Sequence, residues 1–176
     1  MKGLVLVAVL VAVVVAVPQT VKVQGRSFTF ARCKGLLTGQ RLCGGNRPVG
    51  GRVEFALLGG TGFVFNGAGP GASMVGSTVF VCFKNGTRTA TGGEFLLTSK
   101  TTSGPMPVQS RQFQLEAAQS SSTGAVKCVF SVKNIVSGLP SIGKGTGRKF
   151  WVFARGPDAW PSYHGFTNRG IKMLPF

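Results

Sequence analysis

Apolar and polar positions alternate with a period of two along most of the chain, and no stretch shows the 3.6-residue period of an amphipathic helix. Val53, Phe55 and Leu57 alternate with Arg52, Glu54 and Ala56, the mark of a half-buried strand with Glu54 facing outward. Val126, Cys128, Phe130 and Val132 fall on one face of a second such segment, Ala125 to Lys133. The stretch Ser77 to Lys84, STVFVCFK, breaks the alternation by being apolar on both faces. Further strands are predicted at Ser27 to Arg32, Thr61 to Asn66, Glu94 to Ser99, Arg111 to Ala117, Arg148 to Arg155 and Ile171 to Phe176. Turn signals separate them: Gly50-Gly51, Gly59-Gly60 and Asn85-Gly86, the last a strong signal for a two-residue hairpin turn. The pattern specifies an all-β sandwich of about nine to eleven short strands.

Composition divides the chain. Lys2 precedes a run of 14 apolar residues, Leu4 to Val17, too short to span a bilayer and suited to the core of a secretory signal peptide. Residues 1–17 are therefore expected as a signal peptide, 18–49 as a polar, Gly-rich segment held by a disulfide, and 50–176 as the sandwich. No other segment is long and apolar enough to cross a membrane, so the mature chain is expected to be secreted. Against 4 acidic residues stand 20 Lys and Arg, giving a formal charge of +16. Such a field favours acidic partners, and in an extracellular setting an acidic polysaccharide more than nucleic acid. The basic residues are scattered singly, which equally describes a solvated basic surface.

Four cysteines, Cys33, Cys43, Cys82 and Cys128, suggest two disulfides with three possible connectivities. Cys33 and Cys43 are close enough in the chain for a local bridge, whereas Cys82 and Cys128 sit in apolar strands. With no CxxC and a single histidine, a zinc set is disfavoured. Asn85-Gly86-Thr87 is a glycosylation sequon, making Asn85 a candidate acceptor, although the same residues read as a bare turn.

Enzymatic chemistry finds little to work with. Glu54, Glu94, Glu116 and Asp158 are the only acids, and none lies in a nucleophile-elbow context. A glycosidase needs two carboxylates across a cleft, and the Gly-rich fragments open no helix that could hold a dinucleotide. No catalytic constellation is expected. What remains is Met74, at the tip of the Gly-rich loop between Asn66 and Ser77, and His164, the single histidine, in the long loop Gly156 to Gly170. A thioether and an imidazole on opposite sides of a haem iron make a six-coordinate electron-transfer site. Phe63, Phe65, Val79, Val81, Trp151, Phe153 and Tyr163 could line the apolar slot that such a plate needs.

The ordered motifs Thr61-Gly62-Phe63, Met74-Val75-Gly76, Val79 to Phe83, Ala154-Arg155-Gly156, His164 and Arg169-Gly170 resemble the DOMON domain family across about residues 50–176. The resemblance implies an immunoglobulin-like β-sandwich that binds haem b, or in other branches sugars, in extracytoplasmic redox chemistry. It carries the axial-ligand roles to Met74 and His164. Cys128-Val129-Phe130-Ser131 is similar to the family's penultimate core strand, and a cysteine there matched by one after Met-x-Gly implies the pair Cys82–Cys128, leaving Cys33–Cys43. The chain departs from the family at Ser77-Thr78, where Asp is frequent, at Val132-Lys133, where Arg is frequent, and at Phe63, where Trp is usual. Many relatives are fused to a membrane cytochrome or a flavin oxidoreductase, so a separate redox partner is expected. The competing expectations are a haem-free carbohydrate-binding module, with Trp160, Tyr163 and Phe166 as stacking aromatics, and a basic wall or matrix protein.

Overall fold

The computed structural model describes residues 17–36, 39–44, 51–59, 62–67, 78–85, 89–99, 105–108, 113–133, 150–155 and 169–173. The described residues are all-β and form a β-sandwich with an additional hairpin layer. No described helix is long and apolar enough to cross a membrane. The predicted signal segment lies outside the described residues but for Val17, which is exposed.

The hairpin comprises β1 (Gln19–Val23) and β2 (Arg26–Phe30). A five-stranded sheet runs in the order β10-β11-β5-β4-β3, from β3 (Arg32–Gly35), β4 (Arg41–Gly44), β5 (Arg52–Gly59), β10 (Phe113–Ser120) and β11 (Val126–Lys133). A six-stranded sheet runs in the order β13-β12-β6-β7-β8-β9, from β6 (Gly62–Gly67), β7 (Thr78–Asn85), β8 (Thr89–Leu97), β9 (Pro105–Pro107), β12 (Phe150–Arg155) and β13 (Arg169–Met173). Every pairing is antiparallel. Pro105 and Pro107 flank the centre of edge strand β9, where a missing amide donor limits further strand addition.

Between the sheets, Phe55, Leu57, Cys128, Phe130 and Val132 of the five-stranded sheet meet Phe80, Cys82 and Ala90 of the six-stranded one. Phe80 stacks on Phe130 with centroids 5.4 Å apart, and Phe113 and Phe55 extend the ring cluster at 5.9 Å. Cys82 of β7 is bonded to Cys128 of β11, so a covalent tie joins the two sheets with Cα atoms 5.7 Å apart. The second bridge joins Cys33 to Cys43, directly opposite each other in the β3–β4 register. Both pairings agree with those implied by the family resemblance.

The N-terminal segment is richer in structure than the one strand predicted for it. Val21, Val23, Phe28 and Phe30 alternate with polar residues and are buried, and they pack on Cys43, Ala56, Ala117 and Val129. Gln24 and Gly25 both have positive φ, 51° and 76°, which makes the tight turn of a two-residue hairpin. Burying each of the four apolar side chains is worth about 1.5–3 kcal/mol. The hairpin crosses the five-stranded sheet: the Gln24 amide reaches Gln119 of β10 at 2.9 Å, while Phe30 leads into β3 on the opposite edge. It roofs the face that was expected to meet water. Hence Phe55, Ala56 and Leu57 are all buried and Glu54 is half-buried. β3 and β4, also from residues 18–49, complete the same sheet as β5. At the predicted Asn85-Gly86 turn, Asn85 pairs with Thr89, so the connection is three residues, 86–88, instead of two.

Candidate functional site

Strand β7 is buried from both sides. Phe80 and Cys82 point into the inter-sheet core, at 2% and 0% exposure. Val79 and Val81, on the alternate face, are 0% and 1% exposed. The register gives this outer face its neighbours. Val79 pairs with Phe65 and Phe95, and Val81 with Phe63 and Gly93. Phe65 and Phe63 pair in turn with Val152 and Ala154. Residues of apolar type therefore share these register rows, a strip across β12, β6, β7 and β8. On β8 the ring of Phe95 occupies the space over Gly93: a Cβ at Gly93 would lie 2.9 Å from Phe95 Cε2. Phe95 then meets Phe83 edge-on, with centroids 6.4 Å apart and planes at 66°. Glycine at position 93 thus makes room for the Phe95 ring, and the margin of the strip is aromatic.

Phe63 and Phe65 pair with Val81 and Val79 in the β6–β7 register. Trp151 pairs with Asn66 and Phe153 with Val64, which are the alternate rows. Met74, Tyr163 and His164 lie outside the described residues, as do Trp160 and Phe166 of the competing sugar-binding reading. Asn85 closes β7 opposite Thr89.

Topology fixes where the two ligand-bearing connections begin and end. Residues 68–77 join Gly67 to Thr78; residues 156–168 join Arg155 to Arg169. Phe150 pairs with Gly67 and Arg155 with Gly62, so the two connections leave the six-stranded sheet at opposite ends. The apolar strip lies between those ends.

Among the described residues, no group of three or more His, Cys, Asp or Glu side chains could hold a metal ion, and all four cysteines are in disulfides. No family model and no curated protein matches the chain. Among solved structures the chain is similar to the cytochrome b domain of pyranose dehydrogenase from Coprinopsis cinerea, at 13% identity and a TM-score of 0.57, covering 89% of this chain and 86% of that one. The fold is DOMON-like. On this DOMON-like sandwich, the strip over Val79 and Val81 is an apolar face outside the core that the second sheet already fills.

The sequence reading missed the Phe83–Phe95 margin and the close approach of the Phe95 ring to Gly93. The signal was present: Gly92-Gly93 inside a segment flanked by Thr and Phe can mark a close approach within a strand, as well as a turn.

Proposed function

We propose that this chain binds haem b over the outer face of the six-stranded sheet, with Met74 and His164 as axial ligands, and carries single electrons outside the cytoplasm. The observation that carries the reading is the burial of β7 on both faces, with Val79 and Val81 buried on the side away from the core. An apolar group suits that strip, which has Val79 and Val81 at its centre and Phe83 and Phe95 at its margin. Chain length allows the ligands to meet there. Met74 lies four residues before Thr78 and His164 five before Arg169, reaches of up to about 14 and 17 Å, while the six residues of β6 span about 17 Å. The likeness to a cytochrome b domain supports the reading at the level of fold.

Iron held between a thioether and an imidazole has no open position and exchanges one electron. The protein's part is to fix both ligands, exclude water from the plate and set the potential through Met74. Phe63 and Phe65 line the slot on β6 and Tyr163 completes it from the connection that follows β12, whereas the register puts Trp151 on the alternate rows. The chain acts as a carrier and not as an enzyme, so a separate redox partner exchanges its electron. The two disulfides fit an oxidising, extracellular compartment, and the apolar N-terminus serves as the secretion signal.

The test is the absorbance of the purified chain reconstituted with haemin. A sharp Soret band with α and β bands on reduction is expected. Met74→Leu should lower the reduction potential or leave five-coordinate iron, and His164→Ala should abolish the low-spin spectrum. A chain that stays colourless, or a Met74→Leu variant with wild-type spectrum and potential, overturns the assignment.

A further inference from the structure

The exposed charge among the described residues is cationic. Lys22, Lys34, Arg41, Lys127 and Lys133 are exposed, while each described acid, Glu54, Glu94 and Glu116, is half-buried or buried. On the hairpin side of the five-stranded sheet the acids sit at one end of the strands, together with Arg52 and Lys133, and the other end is purely cationic among the described residues. One cross-strand row reads Gly35, Arg41, Leu58, Lys127, Gln119. It contains two cations and no acid. Glu54 lies two rows away, paired with Ser131. Ser131 also donates its hydroxyl to Glu116 at 2.6 Å and accepts from Arg52 at 2.7 Å. Lys127 and Ser131 are four residues apart on β11, about 13 Å along the strand, beyond a Debye length of about 8 Å at physiological salt. The acids therefore do little to neutralise the Arg41–Lys127 row.

The hairpin adds to that row. Its turn is anchored on Gln119, the next position after Lys127. Lys22, two residues before the turn, is exposed and pairs with Ser27, and the neighbouring outward pair is Thr20 with Thr29. This surface is a β face of short hydroxyls with a lysine, on the hairpin whose turn is held at the end of the Arg41–Lys127 row.

We propose that this face, centred on Lys22, Arg41 and Lys127, is a docking site for a linear acidic polysaccharide, distinct from the haem-binding face of the other sheet. Charge complementarity supplies the attraction, and the hydroxyls of Thr20, Ser27 and Thr29 are the right groups to hydrogen-bond sugar hydroxyls and carboxylates. Two other polyanions fit less well. Single-stranded nucleic acid is held by stacking on exposed rings, and here Phe28 and Phe30 are turned inward and buried. A folded acidic protein binds through buried apolar or aromatic anchors, and Leu58, the apolar residue of the row, is half-buried and already packed against the cluster beneath the hairpin. A polysaccharide needs neither. Docking by this face leaves the six-stranded sheet free, so a carrier could be retained on a matrix while still exchanging electrons.

The experiment measures binding of the full chain to a polygalacturonate oligomer, with two charge reversals on one strand as the internal comparison. Lys127→Glu should weaken binding about fivefold, and Lys133→Glu, on the same side of β11 at its other end, less than about twofold. The triple variant Lys22→Glu, Arg41→Glu, Lys127→Glu should lose at least about fiftyfold, and binding by the native chain should vanish near 0.5 M salt. Equal effects of Lys127→Glu and Lys133→Glu would show a diffuse cationic surface and overturn the site. Equal or tighter binding to a duplex DNA of matched charge, or to phosphatidylserine vesicles, would overturn the choice of partner. The haem spectrum reports on the other sheet and is expected unchanged in all these variants, so the two proposals fail separately.

Discussion

Gly92 shows at the scale of one residue why part of this chain was legible and part was not. The alternation of Val53, Phe55 and Leu57, or of Val126 to Val132, survives folding because each side chain meets a face of uniform character. Glycine pairs carry no such record. The strand is predicted to begin at Glu94, after Gly92-Gly93, yet β8 begins at Thr89 and runs through both glycines. The reason is steric: a Cβ on Gly92 would lie 2.9 Å from the Val81 carbonyl oxygen, 3.1 Å from Leu115 Cδ1 and 3.6 Å from Cys128 Sγ. The glycine lets the sheets approach beside the inter-sheet disulfide. Gly92→Ala should therefore destabilise the fold by about 1–3 kcal/mol, read as a lower denaturation midpoint with unchanged slope. A midpoint equal to or above that of the native chain would mean that the neighbours yield freely. Buried Gln40, 1% exposed and with neither side-chain polar atom hydrogen-bonded, is a second position whose environment the sequence did not announce.

At the scale of elements, the hairpin and the disulfides carry the lesson. TVKVQGRSFTF has a clean alternation around Gln-Gly, but its position in a polar, Gly-rich stretch near the predicted signal segment masked it. Only tertiary context, a roof over Ala56 and Val129, reveals why Val21, Val23, Phe28 and Phe30 are there. The same context explains why a strand predicted to be half-buried is buried on both sides at Ala56. The cysteines can be ranked. The two bridges close segments of 46 and 10 residues of sequence separation. Loop-closure entropy assigns them about 4 and about 3 kcal/mol. Replacing Cys82 and Cys128 by alanine also removes two buried side chains from the core, which adds to the loss. The pair Cys82→Ala, Cys128→Ala should thus lower the unfolding free energy more than Cys33→Ala, Cys43→Ala. Chemical denaturation of the two double variants checks this, and the reverse order would show that the edge of the five-stranded sheet is the weaker part.

At the scale of the molecule, β7 of the six-stranded sheet is buried on both of its faces. The hairpin covers one side of the five-stranded sheet and the six-stranded sheet covers the other, so the remaining apolar strip is the outer face at Val79 and Val81. The β architecture and the apolar character of both faces of β7 were legible because periodicity encodes them. A meeting of Met74 with His164 is not encoded there, because periodicity says nothing of how two long connections run. Those connections leave the sheet at opposite ends, so a ligand held by both residues would tie the sheet from end to end and oppose its opening. Haemin that binds only the folded chain should raise its stability by about 2.7 kcal/mol at a hundredfold excess over Kd, and for a chain of 176 residues that is a rise in Tm of about 5–10 °C. The double variant Met74→Leu, His164→Ala should lose most of the rise while keeping the native ligand-free Tm within about 2 °C. A rise that persists in the double variant would mean that haemin adheres to the apolar strip without axial ligation. No rise in the native chain would remove the ligand from this face altogether.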